Sequence, residues 1–187
     1  MGAIVATMSV SLDGYLADPD GGLEWSVIDD ELHQHFNDWL GAASLSLDGR
    51  VTYELMMDFW PTADQDPDAS PIIVEFAQIW RNTPKYVFST TLNDANTEAT
   101  VLAEVDPDQI RALAANVDGD VVVGGAILGE AFRAHDLIDE YRMYVHPRII
   151  GRGLSWFHPA DVWADLELIE THTFGSGVVL LRYRVTR

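Results

Sequence analysis

The chain opens on an apolar run. Residues 2–11, rich in Ile, Val and Met, predict a buried strand. Turn chemistry follows at Leu12-Asp13-Gly14-Tyr15 and at Pro19-Asp20-Gly21-Gly22, so a long loop is expected to about Val27. Over residues 29–41, Leu32, Phe36, Trp39 and Leu40 fall at i, i+4, i+7 and i+8, one apolar stripe along a helix. A short strand is predicted over 44–47. Gly49-Arg50 then opens a helix through Met57, closed by Phe59-Trp60-Pro61. The acidic stretch 61–70 reads as a loop. Ser70-Pro71 is an N-cap with proline in the first turn, and Ile72, Phe76, Ile79 and Trp80 form the next stripe.

The second half repeats the alternation. A strand is predicted over 85–89 and a loop over 90–100. Asp106-Pro107 caps a helix with Ile110, Leu113, Ala114 and Val117 on one face and Gly119 near its C-cap. An apolar strand over 120–123 ends at Gly124-Gly125, and a helix covers 126–134. The pattern then changes. Residues 139–146 read as a strand, and 166–174 and 178–185 as a hairpin across Gly175-Ser176-Gly177, with Arg182 and Arg184 alternating with apolar neighbours. Strands alternating with helices and a terminal β meander predict one α/β domain with a mixed sheet over residues 1–187.

Composition narrows the chemistry. The chain has 187 residues, 11 Lys+Arg against 30 Asp+Glu, a net charge of −19 and no cysteine. Cys-ligated metals, disulfides and a thiol nucleophile are excluded. The only lysine is Lys85, so the basic face that nucleic-acid binding requires is not expected. No run approaches the roughly 20 apolar residues that span a bilayer. No basic segment precedes the first apolar run, so a signal peptide is not expected and a cytoplasmic home is.

Candidate chemistry collects at strand ends. Val123-Gly124-Gly125-Ala126 carries an apolar strand through two glycines into a helix, either a phosphate cradle or a tight turn. Gly49-Arg50-Val51-Thr52 repeats the arrangement, with a guanidinium fork and a hydroxyl in the first helical turn; the alternative for Arg50 is an ion pair with a neighbouring acid. Asp48 would repel a phosphate there unless it points away. Ser89, Thr90 and Thr91 follow a further strand. Ligands of α/β sheets lie beyond such strand ends. Asp30, five residues after Trp25, is the candidate acid, either a carboxyl raised by apolar walls or, with Asp29, a helix cap. Trp25, Trp60 and Tyr53 could wall a flat heterocycle or belong to the core. His33 and His35 do not share a helix face, and His146-Pro147 and His158-Pro159 read as turn or strand-end residues, so no metal is expected.

In order along the chain, Met8-Ser9-Val10-Ser11-Leu12-Asp13-Gly14-Tyr15, Glu24-Trp25, Gly49-Arg50-Val51-Thr52-Tyr53-Glu54, Tyr86-Val87-Phe88-Ser89, Val123-Gly124-Gly125-Ala126, His146-Pro147-Arg148-Ile149-Ile150-Gly151-Arg152-Gly153 and Thr173-Phe174-Gly175-Ser176-Gly177-Val178 together resemble the dihydrofolate reductase-like superfamily. Within it they resemble the RibD C-terminal-domain family. The resemblance implies a three-layer αβα fold, with a mixed, mostly parallel sheet and a C-terminal antiparallel hairpin, and an NADPH cleft. Gly49, Arg50, Val51, Thr52, Gly124, Gly125 and Ala126 would hold the cofactor phosphates, Ser89 and Thr90 the adenosine end, and the loop of Leu12, Asp13 and Gly14 would lie over the nicotinamide. Asp30 matches the substrate-binding carboxylate of dihydrofolate reductases, beside Trp25 and Trp60. Relatives often carry Arg where this chain has Thr90, which leaves NADH as an alternative donor, and Asp48 replaces an apolar residue.

The expected activity is hydride transfer from NADPH to a pteridine- or pyrimidine-like heterocycle, of the dihydrofolate reductase or 5-amino-6-(5-phosphoribosylamino)uracil reductase type. A homodimer is the family's expected state. The alternative from another class is a non-catalytic nucleotide-binding or dimerisation module on the same fold.

Overall fold

Strands too apolar to face water on either side collect in the middle of one sheet. The computed structural model describes residues 2–93, 97–157 and 163–187. In chain order the elements are β1 (Ile4–Ser11), β2 (Tyr15–Ala17), α1 (Asp30–Leu40), β3 (Leu45–Gly49), α2 (Arg50–Met57), a 3-10 turn (Ala63–Gln65), α3 (Pro71–Asn82), β4 (Lys85–Phe88), β5 (Thr100–Leu102), α4 (Pro107–Ala115), β6 (Val121–Gly124), α5 (Ala126–Ala134), β7 (Glu140–His146), β8 (Leu154–Ser155), β9 (Asp165–Thr173) and β10 (Val179–Thr186).

Eight strands form a sheet in the order β5-β4-β3-β6-β1-β7-β10-β9. The first six are mutually parallel, and β10 runs antiparallel to both β7 and β9. Side chains alternate across the sheet. Ile4, Ala6 and Val10 of β1 meet Ile110 and Ala114 of α4 and Leu128 and Phe132 of α5. On the opposite face Leu32 of α1 packs with Tyr144 and Leu180, and Tyr53, Phe76 and Trp80 of α2 and α3 pack with Val87. Two helical layers thus enclose the sheet, in the αβα arrangement.

Three expectations need correction and one is refined. The loop after β1 contains β2, which pairs with β8 in a separate two-stranded ladder. The predicted 90–100 loop gives way to β5 at Thr100, paired parallel with β4; these two short strands carry too little periodicity to register in the sequence. Strand β7 does not belong to a meander, because it lies parallel to β1 over seven residue pairs from Val5↔Glu140 to Ser11↔His146. Gly119 lies three residues past the C-cap of α4, Asn116, so it is the end of the helix that is refined here. Gly119 is small because a Cβ there would lie 2.6 Å from the Ala42 carbonyl oxygen. His158 and Pro159 lie outside the described residues.

Away from the parallel strand ends, arginines are consumed by acids. Arg142 lies over the Trp39 ring, 4.4 Å from its centroid, and donates to Asp120 at 3.0 Å and to Glu140 at 2.5 Å. Arg182 bridges Glu140 and Glu170. Burial pushes the Glu140 carboxyl up, but the hydrogen bonds from Arg182 and Arg142 outweigh it and hold it below its ordinary value. Among the described residues no helix is long and apolar enough to cross a membrane.

Phe132 is fully buried, with its ring perpendicular to Phe88 at 5.9 Å. Phe132→Ala is expected to cost about 3–5 kcal/mol. Urea denaturation checks it, as a lowered midpoint with an unchanged slope.

Candidate functional site

The site begins where one ladder stops early. β6 pairs with β1 only as far as Ala6↔Val123, whereas β1 stays paired with β7 up to Ser11↔His146. Over its last five residues, roughly 16 Å at the usual strand rise, β1 is paired with no strand on its β6 side among the described residues. A gap therefore opens at the C-terminal edge of the sheet, with β1 along one wall and the turn into α5 at its base. Thr7, Ser9 and Ser11 alternate with the core residues of β1 and make a polar face beside the gap.

Two glycine turns meet at that base. Gly125 has φ +102°, and a Cβ on it would stand 3.0 Å from Thr52 Oγ1 and 3.8 Å from the Gly49 nitrogen. Glycine is needed there for both its conformation and its closeness. The helices that follow differ from the others in one respect. α1, α3 and α4 each start with a side-chain cap, from Asp29, Ser70 and Asp106. α2 and α5 start at Gly49 and Gly125 and have no side-chain cap. The first N–H groups of a helix lack intrahelical partners. Here two such sets, each at a positive dipole end, converge on one spot.

Asp48 lies against these turns. A Cβ on Gly124 would be 2.6 Å from its Oδ1, and Ser46 Oγ donates to its carboxylate at 2.7 Å. Burial raises the carboxyl to about 6, against a lowering by the Ser46 bond and by Lys85. The lysine is committed elsewhere: Nζ donates to the carbonyls of Trp80 and Thr83. Arg50 is exposed and paired with Glu54 one turn on, at 2.5 Å, so the ion pair is its state here. Val51 is exposed beside it.

The loop after β1 is tied to the segment after β7. Asp13 accepts from Ser11 Oγ at 2.7 Å and from the amides of Ile150 and Gly151, and the Ser11 bond leads in holding its carboxyl below the usual range. The amide of exposed Leu12 donates to the Arg148 carbonyl at 2.7 Å, and Trp156 N–H to that of Gly14. Ser89 closes its own turn, accepting from the amides of Thr91 and Leu92, and Thr90 is exposed. Ala126 is buried in the first turn of α5.

Asp29 is the cap of α1, accepting from the Leu32 amide at 2.9 Å. Asp30 is thereby left exposed, without a hydrogen bond or ion pair among the described residues. Trp25 packs edge-on against His146 at the end of β7, with ring centroids 5.4 Å apart. Trp60 packs elsewhere, against Phe76 at 4.3 Å and His33 at 5.8 Å, and Tyr53 is buried with its hydroxyl accepting from the Glu98 amide. The structure thus brings Gly49, Thr52, Gly124 and Gly125 together and sets Trp25 at the end of β7. It gives Trp60 and Tyr53 to packing.

The family model of the RibD C-terminal domain matches residues 3–180. The chain belongs to the RibD C-terminal domain family. Another similar chain is the uncharacterised protein YyaP of Bacillus subtilis (strain 168), 30% identical over 181 residues, covering 96% of this chain and 93% of that one. Two solved structures share the fold. A candidate riboflavin biosynthesis protein from Shewanella sp. PV-4 has a TM-score of 0.77 at 21% identity, with 99% of each chain covered. A diaminohydroxyphosphoribosylaminopyrimidine deaminase/5-amino-6-(5-phosphoribosylamino)uracil reductase from Thermotoga maritima has 0.63 at 18%, with 99% of this chain matching 57% of that one. A RibD C-terminal domain is therefore the frame in which these strand ends are to be interpreted.

Sequence reasoning passed over His146, whose strand-end position hid a fully buried side chain, and over the polar face of β1, legible as the alternation Thr7, Ser9, Ser11. Asp48 yields a pH prediction. Its folded value of about 6 stands above the ordinary 3.8. Its contribution to stability is therefore complete below about pH 4 and is lost as pH rises through 6. His146, lowered by burial to about 4, slopes the opposite way, and is common to wild type and variant. Asp48→Asn should raise stability at pH 7 relative to wild type by about 2–3 kcal/mol, with the gain vanishing near pH 4. Urea titrations at pH 4, 5, 6 and 7 measure it.

Proposed function

We propose that this domain is a reductase that takes hydride from NADPH, with NADH as the alternative, and passes it to a pteridine- or pyrimidine-like heterocycle. The observation that carries the proposal is the contact between two glycine-led, uncapped helix starts at the base of the gap beside β1. Two converging sets of free N–H groups suit a pyrophosphate, and the glycines leave room for it. Thr52 adds a hydroxyl, and Arg50 a fork once it leaves Glu54. Ser89 and Thr90 stand at the neighbouring strand end, where the adenosine end would lie. The dinucleotide, when bound, supplies the hydride. Leu12, Asp13 and Gly14 are fixed against the segment after β7, and would roof the nicotinamide end of the bound dinucleotide. Asp30, free of capping duty, would orient the ring or deliver a proton through water.

The second reading is a nucleotide-binding module without turnover. Asp48 favours it, because an ionised carboxylate under the turns opposes an anionic cofactor. A second copy of the chain would fit β9, an edge strand with exposed Leu166 and Leu168, and gives the proposed homodimer.

NADPH added to the protein should quench Trp fluorescence and receive energy transfer; no response at millimolar cofactor overturns the proposal. Arg50→Ala should weaken binding by about 1–3 kcal/mol through loss of a charge-assisted contact. Oxidation of NADPH with a panel of pterins and pyrimidines separates the reductase from the module, which binds cofactor and oxidises none.

A further inference from the structure

His146 ends β7 on the same sheet face as Tyr144, opposite Ser11 of β1, and its side chain is fully buried. Its Nδ1 accepts the Val27 amide at 3.0 Å. An imidazole that accepts at Nδ1 carries its proton at Nε2 when neutral, and burial keeps it neutral down to about pH 4. That Nε2–H is buried and has no hydrogen-bond partner among the described residues, and neither has the buried Nε1–H of Trp25. The two rings meet edge to face at 84°, so at most one N–H finds a π face. Buried donors are ordinarily satisfied. Two unsatisfied donors on rings packed together, at the C-terminal end of the parallel strands and across β1 from the gap, form a place for an acceptor atom. Of the two rings packed together Trp25 is the partly exposed one, and so the piece that must turn aside.

We propose that His146 Nε2–H and Trp25 Nε1–H receive a carbonyl oxygen of the reducible heterocycle, so that the domain selects rings with a lactam edge over rings that present only amino groups there. A neutral imidazole suits this task, since it donates without adding a charge that an uncharged lactam would leave unpaired. The proposal rests on the reductase reading of the gap, and names its acceptor.

Lumazine, a pteridine-2,4-dione, and 2,4-diaminopteridine share a ring system and differ at this edge. Calorimetric titration of each into the wild-type protein, with NADPH titrated separately, should show lumazine bound at least tenfold more tightly. His146→Phe fills the same volume without a donor and should erase that preference while leaving NADPH affinity unchanged. His146→Gln, whose Nε2 amide can stand in for the imidazole N–H, should restore most of it, and near-UV circular dichroism verifies that each variant is folded. In wild type, lumazine should also shift the His146 Nε2–H resonance downfield in a 1H–15N spectrum, a readout independent of variant folding. Equal binding of the two probes by wild type, binding of neither while NADPH binds, an unmoved resonance, or a preference that survives in folded His146→Phe each overturns the assignment. Failure of NADPH itself to bind instead overturns the reductase reading.

Discussion

The early end of the β1–β6 ladder is the constraint on which the rest depends. Had β6 continued alongside β1, the sheet would be closed at this edge and α5 would start farther out. Because β6 turns at Gly124-Gly125 while β1 runs on to Ser11, polar side chains of a central strand reach a gap without breaking core packing. The apolar face of the same strand stays anchored on α4 and α5. One strand thus serves as core on one side and as site wall on the other.

Positive potential at this site comes from backbone more than from side chains. In a chain of net charge −19, arginines tend to find carboxylates, and Arg50, Arg142, Arg182 and Arg184 have all done so. The amide groups at the starts of α2 and α5 cannot be neutralised that way. An acidic protein can therefore keep an anion-suited edge at little cost to the acidity of its surface. Asp48 is the residue in tension with that edge, and burial eases the tension by favouring its protonated form.

Membership of the RibD C-terminal domain family and the shared fold set the frame, and the departures individualise this chain. The family frame concerns the order of strands and the glycine turns. The carboxyl beneath those turns, Asp48, is such a departure, whereas the imidazole at the end of β7 belongs to one of the stretches that carry the resemblance. Their effect depends on burial that no single motif announces.

The sequence alone determined the helices, the caps at Ser70 and Asp106, the hairpin over Gly175–Gly177 and the glycine turns, because periodicity, capping and turn chemistry act over a few residues; between Asp29 and Asp30 as the cap of α1 the structure decided. For Arg50 the sequence left phosphate binding and an ion pair with a neighbouring acid as alternatives, and the structure shows the pair with Glu54. Only the tertiary structure decided that β7 lies parallel to β1, that Gly125 comes up against Thr52 and Gly49, that Asp48 sits under Gly124, and that His146 packs against Trp25 and accepts the Val27 amide. Those contacts join residues some 75 to 140 positions apart. Which strand lies beside which is chosen by burying all the apolar faces at once, a sum over the whole chain that no local window contains.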